Sequence, residues 1–197
     1  MIYEESSRQV KIIDKKIDQF ANYLQRKNNL DRIQFLKVRL GMQVVVSNIE
    51  KTIVVYGLAL IFHTFIYTLL THISYFLVRS NAHGAHAKSS LLCHIQNLLF
   101  FLIVPWFLTL FHISNFVLIG VGLISLFIVI KFAPAATRKQ PIPKHLIKRK
   151  WLTSIMVSIL LLIVCIFIKR PLVQLVVWGM FLESLTLLPI FFTKEDV

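Results

Sequence analysis

The stretch NAHGAHAKSSLLCHIQN, residues 81–97, lies between two long apolar runs and gathers His83, His86, His94, Cys93, a lysine and two serines. These residue types support three kinds of chemistry: sulfur attack on a carbonyl, metal ligation by nitrogen and sulfur, or plain solvation of a loop. Sulfur attacks as the thiolate, which needs a cationic or dipolar neighbour. Ser89 and Ser90 stand just before an apolar helical pattern. With Ser90 as N-cap, Cys93 is the third helical residue, in the field of the helix's positive end. His86 is the nearest upstream base, and Lys88 adds positive charge.

Geometry sets a condition on that pair. In an unbroken helix the backbones of His86 and Cys93 are separated by about 10 Å along the axis, beyond hydrogen-bond reach. A working pair therefore requires the helix to start after His86, so that the loop folds the imidazole back over the thiol. Gly84, Ser89 and Ser90 permit such a break. The metal reading draws on His83, His86, Cys93 and His94. It is weakened by the adjacency of Cys93 and His94, which point in different directions on a helix. The third reading is a solvated loop with incidental histidines.

The elements that must position these residues are hydrophobic. The chain has 197 residues, 56% of them hydrophobic and 16 of them Phe, more apolar surface than a soluble domain of this length can bury. Apolar runs long enough to span a bilayer make it an integral membrane protein. Residues 1–51 are polar and charged and lack a signal-peptide layout. Within them Val10, Ile13, Ile17, Phe20 and Leu24 recur at helical spacing, which predicts an amphipathic helix over 8–28, lying on the membrane or against a partner helix. Residues 52–78 are uncharged and read as one span. Residues 95–130 are too long for one crossing. The polar break HISN at 112–115 makes them a helical hairpin, with Pro105 kinking the first arm. Residues 131–150 read as a loop with three prolines and seven basic residues, and two more spans follow at 152–168 and 171–192. The fold class is an all-α polytopic membrane bundle of five to six segments. Its regions are 1–50 (amphipathic and basic), 51–192 (the membrane domain) and a tail at 193–197.

Charge orients the bundle. Residues 52–182 hold eleven basic residues and no acidic one. Basic loops beside spans are held in the cytoplasm against anionic lipid. The same distribution excludes nucleic acid as a partner, because the basic residues flank membrane runs instead of lining one soluble face. A cytoplasmic 131–150 puts residues 79–90 and the C-terminus on that side. It leaves the basic N-terminal region outside unless 32–50 contains a further crossing or re-entrant element, or 52–78 is itself re-entrant. Two cysteines make no disulfide framework, and Cys165, inside LLIVCIFI, lacks anything to ionise it. His63 and His72 lie in an apolar span and read as interior polar contacts, with a transport role as the alternative.

GAHAKSSLLC followed by an apolar span, and then KFAPAATRKQPI before a basic segment, resemble the accessory gene regulator protein B (AgrB) family of Gram-positive quorum sensing. The resemblance covers most of the chain. It implies a membrane-embedded cysteine endopeptidase, without cofactor or metal, that cuts the tail from an AgrD-like pro-peptide and helps convert it to a cyclic thiolactone. It puts the catalytic histidine on His86 and the nucleophile on Cys93. It also implies an acidic substrate tail, for which Lys88, Arg138, Lys139, Lys144, Lys148, Arg149 and Lys150 are candidate contacts. Because residues 52–182 contain no carboxylate, the group orienting His86 is expected to be Glu183, an N-terminal acid, or a neutral group such as Asn81, Gln96 or Asn97. Anionic lipid and a second copy of the chain are expected partners. A histidine-containing transporter, a metal-binding membrane protein and a non-enzymatic scaffold are the competing classes.

Overall fold

A computed structural model describes residues 2–85, 90–137 and 142–192, with side chains from Asp14 onward except those of Ser90 and Leu91. His86, Lys88, Arg138 and Lys139 lie outside the described residues. The regular elements among the described residues are all helices, and an isolated bridge pairs His83 with Ala135. It divides into two compact units, Met1–Val54 and Val55–Val197.

The first unit is a helical hairpin. Helix α1 (Ile2–Asn28) turns through Asn29 at φ 50° into α2 (Arg32–Ile61). Asp31 and Gln34 cap the start of α2 reciprocally, each side chain accepting from the other's backbone N–H. The apolar stripe of α1 buries Ile17 and Ala21. Asp14 and Asp18 face α2, where Arg39 donates to Asp18 and Gln43 to Asp14. The amphipathic helix thus has a partner within its own unit.

Helix α2 is 30 residues long and runs on through the ambiguous 32–50 region into the apolar residues beyond it. It ends at Ile61, and α3 occupies Phe65–Ala82. The expected single span over 52–78 is therefore two helices. The chain reverses at 62–64, where His63 sits at φ 56° and the Thr64 N–H donates to the Ala59 carbonyl.

In the second unit α3 is followed by α4 (Ser90–Leu98), which runs through a wider turn (Leu99–Ile103) into α5 (Val104–Leu110). Proline lacks the N–H that a regular helix requires. One residue before Pro105, the Val104 N–H reaches back five residues to the Leu99 carbonyl. The expected kink is this π-turn. HISN forms the hairpin bend, with Ser114 accepting from the Val117 N–H at the start of α6 (Asn115–Phe132). Helix α7 (Lys144–Phe167) begins directly after Pro143. Hence Lys144, Lys148, Arg149 and Lys150 lie on the first turns of a helix, not in the loop the sequence suggested. Helix α8 (Leu172–Thr186) completes the set.

Helix α2, the α4–α5 segment (Leu92–Leu110), α6 and α7 are long and apolar enough to cross a membrane. Helix α8 is shorter but central: Leu175, Val176, Val177, Gly179, Met180, Leu182, Glu183 and Ser184 are all buried. It packs on a stripe of small and hydroxyl side chains along α3, namely Thr68, Thr71, Ser74, Val78 and Ala82. Lipid tails are as apolar as the helices, so the hydrophobic effect does little to hold helices together in a bilayer, and close backbone approach through small residues does more. Gly179 is the point of closest approach, where a Cβ would fall 2.1 Å from Ser74 Oγ and 2.5 Å from the Thr71 carbonyl.

Candidate active site

One end of the second unit collects the end of α3, the end of α8, the residues after α6 and the first turns of α7. Here the chain leaves α3 and runs toward His86. Its backbone groups are accounted for in order. The His83 N–H donates to the Arg79 carbonyl, Gly84 N–H to Ala135, and Ala85 N–H to Thr186 at 2.9 Å, while the Ala82 carbonyl accepts from Ala135 N–H at 2.8 Å. His83 and Gly84 adopt φ 60° and 126°. Gly84 is required twice over: its backbone conformation disfavours any side chain, and a Cβ would lie 2.4 Å from Thr186 Oγ1. Residues 83–85 therefore break α3 before His86, as a histidine–cysteine pair demands.

Beneath this segment lies a buried ion pair. Arg79, in the last turn of α3, donates from Nη1 to Glu183 Oε2 at 3.1 Å and to Thr186 Oγ1 at 3.0 Å. The exposures of the two charged side chains are 15% and 0%, so Glu183 is shielded from solvent. From Nη2, Arg79 donates to the carbonyls of Gly84 and Ala85 at 3.5 and 3.1 Å. The Tyr75 ring lies 5.6 Å from the guanidinium, a cation–π distance. Arg79 thus ties the acid of α8 to the two residues that precede His86.

Cys93 is a free, half-buried thiol in the first turn of α4. Ser90 is itself helical, where the sequence reading made it the cap. Arg79 was not singled out by the sequence. Its one available signal was to be an isolated basic residue at the end of an apolar run in a chain whose only acid between residues 52 and 194 is Glu183.

The other candidates scatter. Asn81 is engaged elsewhere, accepting from Thr153 Oγ1 and donating to Ser80 Oγ. Gln96 and Asn97 sit half-buried in α4. Lys150 Nζ donates to the Ser80 carbonyl, at the C-terminal end of α3. Lys144, Lys148 and Arg149 are exposed. His72 is an interior contact, 3.1 Å from the Tyr56 hydroxyl and stacked on Phe101, but His63 is exposed at the α2–α3 turn and not in the interior. Among the described residues no three His, Cys, Asp or Glu side chains come together as metal ligands do. Cys165 packs against the buried cluster of Val78, Leu161 and Met180.

The family model for accessory gene regulator B matches residues 17–187. An accessory gene regulator protein B from Staphylococcus epidermidis is 62% identical over 188 residues, covering 95% of this chain and 97% of that protein. Proteins of the same description from Staphylococcus haemolyticus and from Staphylococcus aureus strain bovine RF122 are 61% and 53% identical, covering 95% and 93% of the chain. No solved structure matches. A match over this much of the chain, with relatives aligned nearly end to end, makes it a member of the accessory gene regulator B family of membrane proteins.

Proposed function

We propose that this protein is a membrane cysteine endopeptidase that removes the C-terminal tail of a quorum-sensing pro-peptide and promotes its cyclisation. The observation that supports the reading is Cys93, a free, half-buried thiol in α4, in a unit where Arg79 grips the backbone leading to His86. His86 takes the thiol proton, and the sulfur attacks the carbonyl at the tail junction. The C–N bond breaks, His86 returns the proton to the leaving amine, and the tail departs with a free amino terminus. The peptide stays on Cys93 as a thioester, which conserves the acyl energy. A cysteine of the pro-peptide then displaces the Cys93 sulfur, closing a thiolactone without ATP. Water must be kept from the thioester, which a site at the membrane surface favours. The end of the bundle bearing the site faces the cytoplasm, since it also bears Lys144, Lys148 and Arg149.

Incubation of the protein in lipid nanodiscs with its pro-peptide should yield a C-terminally trimmed peptide and a hydroxylamine-sensitive adduct on Cys93. Trimming at the parent rate by Cys93→Ala would overturn the proposal. A transport reading is disfavoured by the separation of His63, on an exposed turn, from His72, stacked in the interior.

A further inference from the structure

Resting on the cysteine-peptidase reading, we infer that the Arg79–Glu183 pair is the positioning device for His86, and that it works by clasping the Gly84–Ala85 backbone. Three observations converge. First, an ion pair is costly to hold inside a membrane bundle and tends to mark function there; this one has a fully buried carboxylate. Second, the guanidinium uses both terminal nitrogens across a gap between elements. Nη1 holds Glu183 and Thr186 of α8, and Nη2 holds the carbonyls of Gly84 and Ala85. Third, the clasped segment is held from the other side as well. Ala85 N–H reaches the Thr186 carbonyl, Gly84 N–H reaches Ala135, and no side chain fits at Gly84. The backbone one residue before His86 is therefore fixed by α8 through Arg79.

Glu183 supplies in this way what the carboxylate of a catalytic triad supplies, the orientation of the base, but at one remove and through a cation. Arginine is needed because a planar fork can bridge a carboxylate and two carbonyls at once. Lysine, a point donor, cannot span them. Glu183 is required to fix the fork. Neither residue is assigned contact with substrate.

The test uses the full chain with Cys165→Ala as parent, in nanodiscs. Single-turnover tail release and the pH profile of Cys93 alkylation by iodoacetamide are measured for Arg79→Lys, Glu183→Gln, their double variant and His86→Ala. Both single variants should lose about 100-fold in release rate, the scale of a misplaced catalytic group. The pro-peptide concentration for half-saturation should stay at the parent value. The double variant should be no slower than the slower single, because the pair acts as a unit. Their alkylation profiles should follow that of His86→Ala. Arg79→Lys keeps the positive charge, so a changed profile there reports geometry. A purely structural role would reduce the amount of active protein and leave the profile of the remainder at the parent's. Should these variants not fold, Gly84→Ala keeps both charges, displaces the clasped backbone, and must give the same loss and the same profile. Parent-like release or a parent-like profile in Glu183→Gln or Arg79→Lys would overturn the inference while leaving the cysteine-peptidase reading intact. Parent-like release by His86→Ala would sink both.

Discussion

Cys93 and Cys165 are both free, half-buried thiols, yet their settings differ in the ways that govern reactivity. Cys93 lies in α4 beside His94 and follows Ser89 and Ser90 closely in sequence. Cys165 is near the end of α7, packed among Val78, Leu161 and Met180, with only apolar contacts to offer a thiolate. Cys93→Ala is expected to reduce pro-peptide cleavage at least 1,000-fold, roughly the scale of losing a nucleophile, while Cys165→Ala keeps the parent rate. Mass spectrometry of the released tail separates the two. A large loss in Cys165→Ala at parent expression would count against the assignment. Cys93 could be proposed from the sequence because a cysteine after paired serines, at the edge of an apolar helical run, has a local signature. Arg79 could not, because its meaning depends on Glu183, which lies 104 positions away. An arginine at the end of an apolar run otherwise reads as a topology signal. Asn81, near His86 in sequence, accepts from Thr153 and donates to Ser80, contacts that sequence proximity did not announce.

Among the elements, the α3–α8 contact matters most, because these two helices carry Arg79 and Glu183. Its geometry is set by Gly179 against Ser74 and Thr71. A methyl group at Gly179 would collide with the Thr71 carbonyl, which is backbone and cannot swing away, so the helices must separate. Gly179→Ala is expected to cost about 1–3 kcal/mol, as overpacking does, and to lower tail release by shifting Glu183 from Arg79. Gly120→Ala in α6, where a Cβ meets nothing within 4 Å, should be neutral or slightly stabilising through helix propensity. Thermal midpoints in detergent, measured side by side, check both; equal midpoints would remove Gly179 as the contact point. This contact was only half legible. The α6 start at Ser114 and the strain around Pro105 follow from local chemistry and were anticipated. The reversal at 62–64 was not: it carries neither glycine nor proline, and His63 adopts a positive φ that nothing in its neighbours announces. Merging α2 and α3 into one span hid the face of α3 on which Thr68, Thr71, Ser74 and Val78 line up.

At the scale of the molecule, the end that holds Gly84, Ala85 and Thr186 also carries the basic turns of α7. A cation in the first turn of a helix opposes the helix dipole, so Lys144 does not serve α7 itself, and Lys148 and Arg149 follow in the second turn. They are exposed and free to meet either lipid headgroups or an acidic peptide. Lys150 differs: its Nζ donates to the Ser80 carbonyl at the end of α3, where a cation suits the dipole, and its removal would disturb the scaffold of the site. The steering role is therefore tested with Lys144, Lys148 and Arg149 changed together to Gln. Each exposed pair contributes about 0–1 kcal/mol, but several acting on one flexible acidic tail raise its local concentration in a salt-dependent way. The triple variant is expected to cleave the native pro-peptide about tenfold more slowly at low salt, an estimate from those small terms combined. Against a pro-peptide whose tail acids are changed to amides, variant and parent should cleave at one rate, and raising the salt should bring the native substrate toward that rate. Equal loss on both substrates, with sidedness and expression unchanged, would assign these cations to the membrane surface alone.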